Sequence, residues 1–300
     1  MTTRVHINRQ KRIDWAWGYG MILPLLAGLG VFYFYPVFKV FRDSLYNVGA
    51  FNRSSWAGLG NYTKMFQDST MWQSLGNTLM YAVLIIPLTV VLALILAALL
   101  NTKIKGRDVF RVIFFIPTVT MAAAIAMVWR WIFNGDFGIL NHLIKSLGGT
   151  PQPWLSGKDT VLACISVVSI WMGIGYNMII LLAGIQGISS TYYEAAELEG
   201  AGKIRQFFKI TIPLVTPTLF FVVITTVIST LQIFDTIYMM LPTKSIAMRY
   251  AQSIVMYFYR NAFEYSAKGY ASAIAVLLFV IIMVLTLFQM RMQKKWVHYD

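Results

Sequence analysis

Two apolar stretches of this chain carry residues that could hold a ligand. The stretch around 161–185 contains Ser166, Ser169, Trp171, Gly173, Gly175, Tyr176 and Asn177. The stretch around 213–241 contains Thr225, Thr226, Ser229, Thr230, Gln232 and Asp235. Polar groups inside a long apolar helix are costly, so they face a cavity or a partner helix. Aromatic faces stack on the apolar face of a ligand ring, and amides and hydroxyls bond its polar edges. Trp171 and Tyr176, with Asn177, Ser229, Thr230 and Gln232, supply both kinds of contact. The blander readings stay open: Ser and Thr also bond their own helix backbone, and Trp171 can be packing. Trp171 and Tyr176 lie about 140° apart around a helix of 3.6 residues per turn. Both line one cavity only if its wall wraps the helix or the backbone bends at Gly173 and Gly175.

No residue set points to bond-breaking chemistry. His6, His142 and His298 lie outside the apolar stretches and far apart, and Cys164 is the single cysteine. That excludes an intrachain disulfide and a thiol-metal cluster. No phosphate-binding G-x-x-x-x-G-K-[ST] string exists: Ser156-Gly157-Lys158 lacks the upstream glycine and is followed by Asp159. The expectation is a chain that is not an enzyme, with no catalytic residue, no metal site and no cofactor of its own.

Between the two stretches runs TYYEAAELEGAGKIRQFFKITIP, residues 191–213. Thr191 and Glu194 have the spacing of a capping box. A helix follows through Ala195, Ala196, Glu197, Leu198 and Glu199, with its acidic residues early, as the helix dipole favours. Gly200 and Gly202 are suited to end it. Lys203–Lys209 begins a second helical piece, and Pro213 suits the first turn of the next span. The expected unit is a short helix, a glycine bend and a second helix.

The elements that must position these groups are membrane helices. The chain is 58% hydrophobic and only 12% charged. Six charge-free stretches are long enough to span a bilayer: Trp15–Phe38, Ser69–Thr102, Val112–Trp129, Thr160–Tyr193, Ile210–Phe234 and Gly269–Met290. In lipid the backbone satisfies itself only as helix or closed barrel. The expected fold is an all-α integral membrane protein of six transmembrane helices, with a cytoplasmic coupling helix between spans four and five. Residues 1–14 form a basic arm, 15–291 the transmembrane domain with its loop 190–213, and 292–300 a tail.

Finer expectations follow. The spans are about Trp15–Val40, Thr78–Leu100, Val112–Phe133, Val161–Ile185, Pro213–Leu241 and Tyr270–Met290. Pro24 and Pro36 would kink the first. Tyr62–Leu75 reads as an interfacial amphipathic piece with Trp72 at headgroup level, Asn77 or Thr78 as the cap of span two, and Tyr250–Phe263 as an outer helix. Asp235 follows Pro213 by 22 residues, about 30 Å of straight helix. It is therefore placed near the outer surface, as an interface or gate residue rather than a midplane proton relay.

The net charge of +13 belongs to the ends of spans and not to a nucleic-acid surface. Arg4, Arg9, Lys11 and Arg12 precede span one; Lys103, Lys105, Arg107 and Arg111 follow span two; Arg291, Lys294 and Lys295 follow span six. The positive-inside rule makes that side cytoplasmic, with both termini and the 190–213 loop on it. Arg53, Lys64, Lys158, Arg249 and Arg260 are spread over the longer outer loops.

The loop resembles the EAA signature of permease subunits in ABC importers. Glu194-Ala195-Ala196 is followed at the signature's distance by Gly200, and then by Ile210, Ile212 and Pro213. Glu199 stands where that family has Asp, and Ile212 where it has Leu. GLGNYTKMF at 58–66, NGDFGILNHLI at 134–144, GYNMIILLAGIQ at 175–186 and GYASAIAVLLF at 269–279 are similar to the maltose-type carbohydrate permeases. The resemblance implies a bacterial plasma-membrane subunit paired with a second homologous permease. It implies two cytoplasmic ATPase subunits that hold ATP and Mg and dock at Glu194, Ala195, Ala196, Glu199 and Gly200. It implies an extracytoplasmic solute-binding protein that delivers sugar. It places a sugar site on spans four and five, at Ser169, Trp171, Met172, Gly173 and Tyr176 and at Thr226, Ser229, Thr230 and Ile233. The rival classes are an ion-coupled secondary transporter, which wants an ionisable residue near midplane, and a membrane enzyme. No Asp, Glu, Lys, Arg or His is centred in a span.

Overall fold

The structure is a computed structural model that describes residues 9–49, 54–102 and 104–296. Arg4 and the start of the basic arm, Asn52, Arg53, Lys103 and the last four residues lie outside these, as do the side chains of Arg9 and Lys295. The elements in order are α1 (Arg9–Leu29), α2 (Tyr35–Asp43), β1 (Tyr46–Val48), β2 (Ser54–Trp56) and α3 (Gly60–Gln67). Then come α4 (Ser69–Leu100), α5 (Arg107–Val119), α6 (Ala122–Ile132), α7 (Ile139–Ser146) and α8 (Val161–Gln186). They are followed by α9 (Ser190–Leu198), α10 (Lys203–Gln206), α11 (Ile212–Leu214) and α12 (Thr216–Leu231). The chain closes with α13 (Asp235–Met240), α14 (Ile246–Ala251), α15 (Ile254–Tyr259) and α16 (Lys268–Trp296).

Among the described residues four helices are long and apolar enough to cross a bilayer: Lys11–Asp43, α4, α8 and Lys268–Lys294. Two further candidates are bent pairs, α5 with α6 at 99° and Lys203–Leu214 with α12 at 70°. The count is therefore four, or six if each pair is one span. Thr120 and Met121 take extended backbone between α5 and α6, three residues after Pro117, which cannot donate a helical hydrogen bond. The second bend falls at Val215, between Pro213 and Pro217. Pro213 thus sits inside the helix before the bend and does not open a straight span. Within Lys11–Asp43, helix continues through a π turn at Gly30–Phe34 in the turn before Pro36. Widening that turn relieves the clash of the proline ring with the preceding carbonyl.

The chain divides into two compact units. The first comprises residues up to Met65 with Asn261–Val276. It departs from an all-α fold by a small antiparallel hairpin, in which Tyr46 faces Trp56 and Val48 faces Ser54. Asn61, nearly fully buried, donates to the carbonyls of Ser44 at 2.9 Å and Tyr46 at 3.0 Å and pins α3 beneath the hairpin.

The second unit holds Phe66–Arg260 with Leu277 onward. Its interior is α4 against α8 and α12. Val90, Ala93, Leu94 and Ala97 meet Met178, Leu181, Leu182, Val215, Leu219 and Val222 in one apolar cluster. Tyr81, Ile85, Ile165, Val168, Ile237, Met240 and Met248 form another. A Cβ on Gly175 would lie 2.1 Å from the Phe114 carbonyl oxygen, so only glycine lets α5 approach α8 here. Helix α8 runs unbroken past Gly173 and Gly175. Of the two alternatives, a wrapping wall or a backbone bend at these glycines, the bend is absent, and the glycines serve close approach.

Span two begins nine residues before the expected Thr78, at Ser69. Its cap is Asp68, whose carboxylate accepts from the amides of Thr70 at 2.8 Å and Met71 at 3.4 Å. The expected interfacial helix is thereby split into α3 and the first turns of α4. The expected helix Tyr250–Phe263 is likewise split into α14, α15 and a π turn. Gln252 and Ser253, both buried, separate α14 from α15. Thr78 Oγ1 accepts from the Ile254 amide at 2.9 Å, and the Tyr81 hydroxyl donates to the Ala251 carbonyl at 2.8 Å. These bonds clamp the segment onto α4.

Candidate functional site

A cavity of about 490 Å³ opens between α4, α5, α8, α12 and the start of α13. Ser169, Met172, Gly173, Tyr176 and Asn177 of α8 line it, as do Thr225, Thr226, Ser229 and Thr230 of α12 and the following Gln232 and Ile233. These two helices run side by side, so candidates about 50 residues apart in sequence share one wall. The volume falls within the range of about 300–1,000 Å³ usual for small-ligand sites.

Many of the hydroxyls are anchored to their own helix. Ser169 donates to Ile165 at 2.9 Å, Thr226 to Val222 at 2.7 Å and Ser229 to Thr226 at 3.1 Å. The Asn177 amide nitrogen donates to the Gly173 carbonyl at 3.0 Å. Backbone bonding and cavity lining are therefore not alternatives here. A hydroxyl that donates to its helix keeps oxygen lone pairs to accept from a ligand, and the bond fixes its rotamer.

Trp171 does not line the cavity. Its ring packs edge-on against Trp129 of α6 at 5.7 Å between centroids, and it is 42% exposed. With α8 unbent, the 140° or so between Trp171 and Tyr176 is too wide for one wall, and Tyr176 is the aromatic that α8 presents to the cavity, with Phe234 beyond α12 as a second. Sequence reasoning missed the walls from other elements: Ile85 and Thr89 of α4, Thr118 of α5 and Ala122 of α6. The one signal for them was Thr89, an isolated polar residue in the run IPLTVVLAL. Asp235 also lines the cavity. The 22 residues from Pro213 to Asp235 are not one straight helix: the chain bends at Val215, α12 ends at Leu231, and Asp235 opens α13.

The loop that joins α8 to α12 is a second surface. Its helix α9 is capped by Ser189, whose Oγ accepts from the Thr191 amide at 3.4 Å. The expected capping box of Thr191 and Glu194 does not form, because Thr191 already lies inside the helix. The helix ends at Gly200, with φ +77°. The Gly200 amide bonds the Glu197 carbonyl at 3.0 Å and the Ala201 amide the Ala196 carbonyl at 2.8 Å, which is a Schellman closure. Gly202 has ordinary φ and precedes α10. Glu194, Ala195, Glu199 and Gly200 are exposed and Ala196 is half-buried. Leu198 is 92% exposed, and Ile204 and Phe208 are also exposed.

Three contacts brace this loop from within. Lys203 bonds the Glu197 carboxylate. Gln206 donates to the Ala201 carbonyl at 3.0 Å, and the hydroxyls of Tyr193 and Thr211 are 3.0 Å apart. The hydrogen bond and charge of Lys203 hold the Glu197 carboxyl below its ordinary value. The outcome is an internally braced loop that leaves Leu198, Ile204 and Phe208 exposed. Among the described residues no three His, Cys, Asp or Glu side chains could hold a metal together.

A family model described as "Binding-protein-dependent transport system inner membrane component" matches residues 89–298. The chain is 33% identical over 296 residues to the probable ABC transporter permease protein YesP of Bacillus subtilis, covering 98% of this chain and 95% of that one. It is 32% identical to the trehalose/maltose transport system permease protein MalF of Thermococcus litoralis, covering 92% and 93%. Its fold matches a chain of the bacterial alginate ABC transporter solved with an alginate pentasaccharide-bound periplasmic protein. There the TM-score is 0.84 at 21% identity, over 96% of this chain and 97% of the other.

Proposed function

Because the chain belongs to the family of binding-protein-dependent transport system inner membrane components, we propose that it is the permease subunit of an ATP-driven importer carrying a sugar or oligosaccharide into the cytoplasm. The observation that carries this reading is a connection. The exposed, braced loop at 190–213 joins the two helices, α8 and α12, that supply most of the cavity wall. A force applied at α9 has a short covalent route, through Gly200 and the bent pair Lys203–Leu214 and α12, to Thr226, Ser229 and Thr230.

In this account sugar enters the cavity, stacks on Tyr176 and bonds Asn177, Gln232 and the hydroxyls of α8 and α12. Glu194, Ala195, Ala196, Glu199 and Gly200 form the docking surface for an ATPase subunit, with Leu198 as its apolar centre. ATP and Mg act in that partner. A second homologous permease completes the membrane part, two ATPases lie below, and an extracytoplasmic solute-binding protein loads it. The bilayer holds six crossings, with both termini cytoplasmic. The relative named for trehalose and maltose supports a saccharide as cargo.

An ion-coupled transporter is the rival reading, and Asp235 in the cavity wall is the observation in its favour. Family membership weighs for ATP. Uptake of labelled oligosaccharides by the reconstituted complex, with and without its ATPases, tests the choice.

A further inference from the structure

Thr89 is 1% exposed, and its hydroxyl is buried without a hydrogen-bond partner. Helical Ser and Thr ordinarily bond a carbonyl one turn back. On the same helix Ser74 bonds Thr70 at 2.7 Å and Thr78 bonds Ser74 at 2.8 Å. Thr89 makes no such bond, although a buried unmade hydrogen bond is costly. Such a group gains stability from any ligand that reaches it.

The position of Thr89 says where such a ligand would lie. It belongs to the cavity wall on α4, opposite Gly173 of α8. A Cβ built on Gly173 would lie 3.2 Å from Thr89 Cγ2, 3.9 Å from its Oγ1 and 4.0 Å from Asn177 Nδ2. The bare glycine therefore lets α4 lie close to α8 here, with Thr89 and Asn177 both beside it. One step of χ1 can carry the Thr89 hydroxyl to the place its methyl now holds. A hydroxyl that both donates and accepts matches a ring hydroxyl of a saccharide, which does the same.

Resting on the sugar-import reading, we propose that Thr89 is a substrate contact, and that α4 supplies a third binding wall beside α8 and α12. Its hydroxyl, turned toward the cavity, bonds a sugar hydroxyl there, and so selects a cargo with a hydroxyl at that ring position.

The test uses the complete complex in proteoliposomes, with one preparation of binding protein throughout. Thr89→Val keeps the shape and removes the hydroxyl; Thr89→Ser keeps the hydroxyl; Thr89→Ala removes it without strain. The expected result is a rise in KM for uptake of about three- to tenfold in the Val and Ala variants, the scale of one net hydrogen bond. The Ser variant should stay within about twofold of wild type on that scale. The melting temperature of Thr89→Val should be unchanged or higher, since an orphan group has been removed. An unchanged KM in both Val and Ala variants would overturn the proposal, as would a Val variant whose only defect is a lower melting temperature. A wild-type complex that takes up no saccharide would overturn the sugar reading itself, and the assignment of Thr89 with it.

Discussion

The Ser253 hydroxyl donates to the carbonyl of Ile233 at 2.6 Å, joining the turn between α14 and α15 to the break between α12 and α13. Both residues are buried. The break carries Gln232, Ile233, Phe234 and Asp235, all of which line the cavity. Ser253 also caps α15, accepting from the Met256 amide at 3.1 Å. One buried side chain thus holds part of the cavity rim in shape.

Ser253→Ala would orphan the Ile233 carbonyl and remove the α15 cap. A loss of about 1–3 kcal/mol is expected, read as a lower melting temperature of the purified complex. A melting temperature equal to wild type would show that the bond holds nothing.

Gly200 sits at φ +77° with open space where a side chain would go. The obstacle to substitution is backbone conformation, at about 1–2 kcal/mol for an ordinary residue. Gly200→Asn, which tolerates this conformation, should keep most coupled ATPase activity. Gly200→Val should lose it while the chain still inserts. Equal activity in the two variants, measured as sugar-stimulated ATP hydrolysis, would remove the bend from the coupling mechanism.

Tyr176 lines the cavity and Trp171 packs on Trp129. Tyr176→Ala should weaken sugar uptake several-fold through KM, since aromatic contacts of this kind are worth about 0.5–1.5 kcal/mol beyond area burial. Trp171→Ala should leave KM unchanged and lower stability instead. The opposite pattern would move the binding wall to the other side of α8.

The orientation has its own readout. With the buried Cys164 replaced by Ala, single cysteines at Ser54 and Gly149 should react with an impermeant maleimide in right-side-out vesicles. A cysteine at Gln293 should resist it. Labelling of the Gln293 position from outside would invert the topology.

Much of this molecule is written in the spacing of its charges. The long runs free of Asp, Glu, Lys and Arg mark α4, α8 and α16, because hydrocarbon tolerates few charges. Gly200 was legible as a helix end because only its residue type takes positive φ cheaply. Ser169, Tyr176, Asn177 and Thr226 were legible as cavity candidates because a polar group in an apolar helix needs a reason. The bends were not legible as bends. Hydropathy averages over a window and is blind to Thr120 and Met121 turning extended, although Pro117, Pro213 and Pro217 flagged the places. Asp68 and Ser189 lost to Asn77, Thr78 and Thr191 as caps because several residues of capping type stand close together. Thr89 and Thr118 were missed because which helices face the cavity is a property of packing, and Trp171 was misplaced for the same reason.

The central claim is ATP-driven import of a saccharide through this chain. It is tested most directly in proteoliposomes containing the complex of this chain, its partner permease and the ATPases, with the binding protein outside and ATP inside. Uptake of a panel of labelled oligosaccharides is then followed with and without ATP, and with proton or sodium gradients imposed in its place. The account predicts uptake of at least one saccharide that requires ATP and the binding protein and is indifferent to either gradient. Uptake driven by an ion gradient without ATP would contradict it.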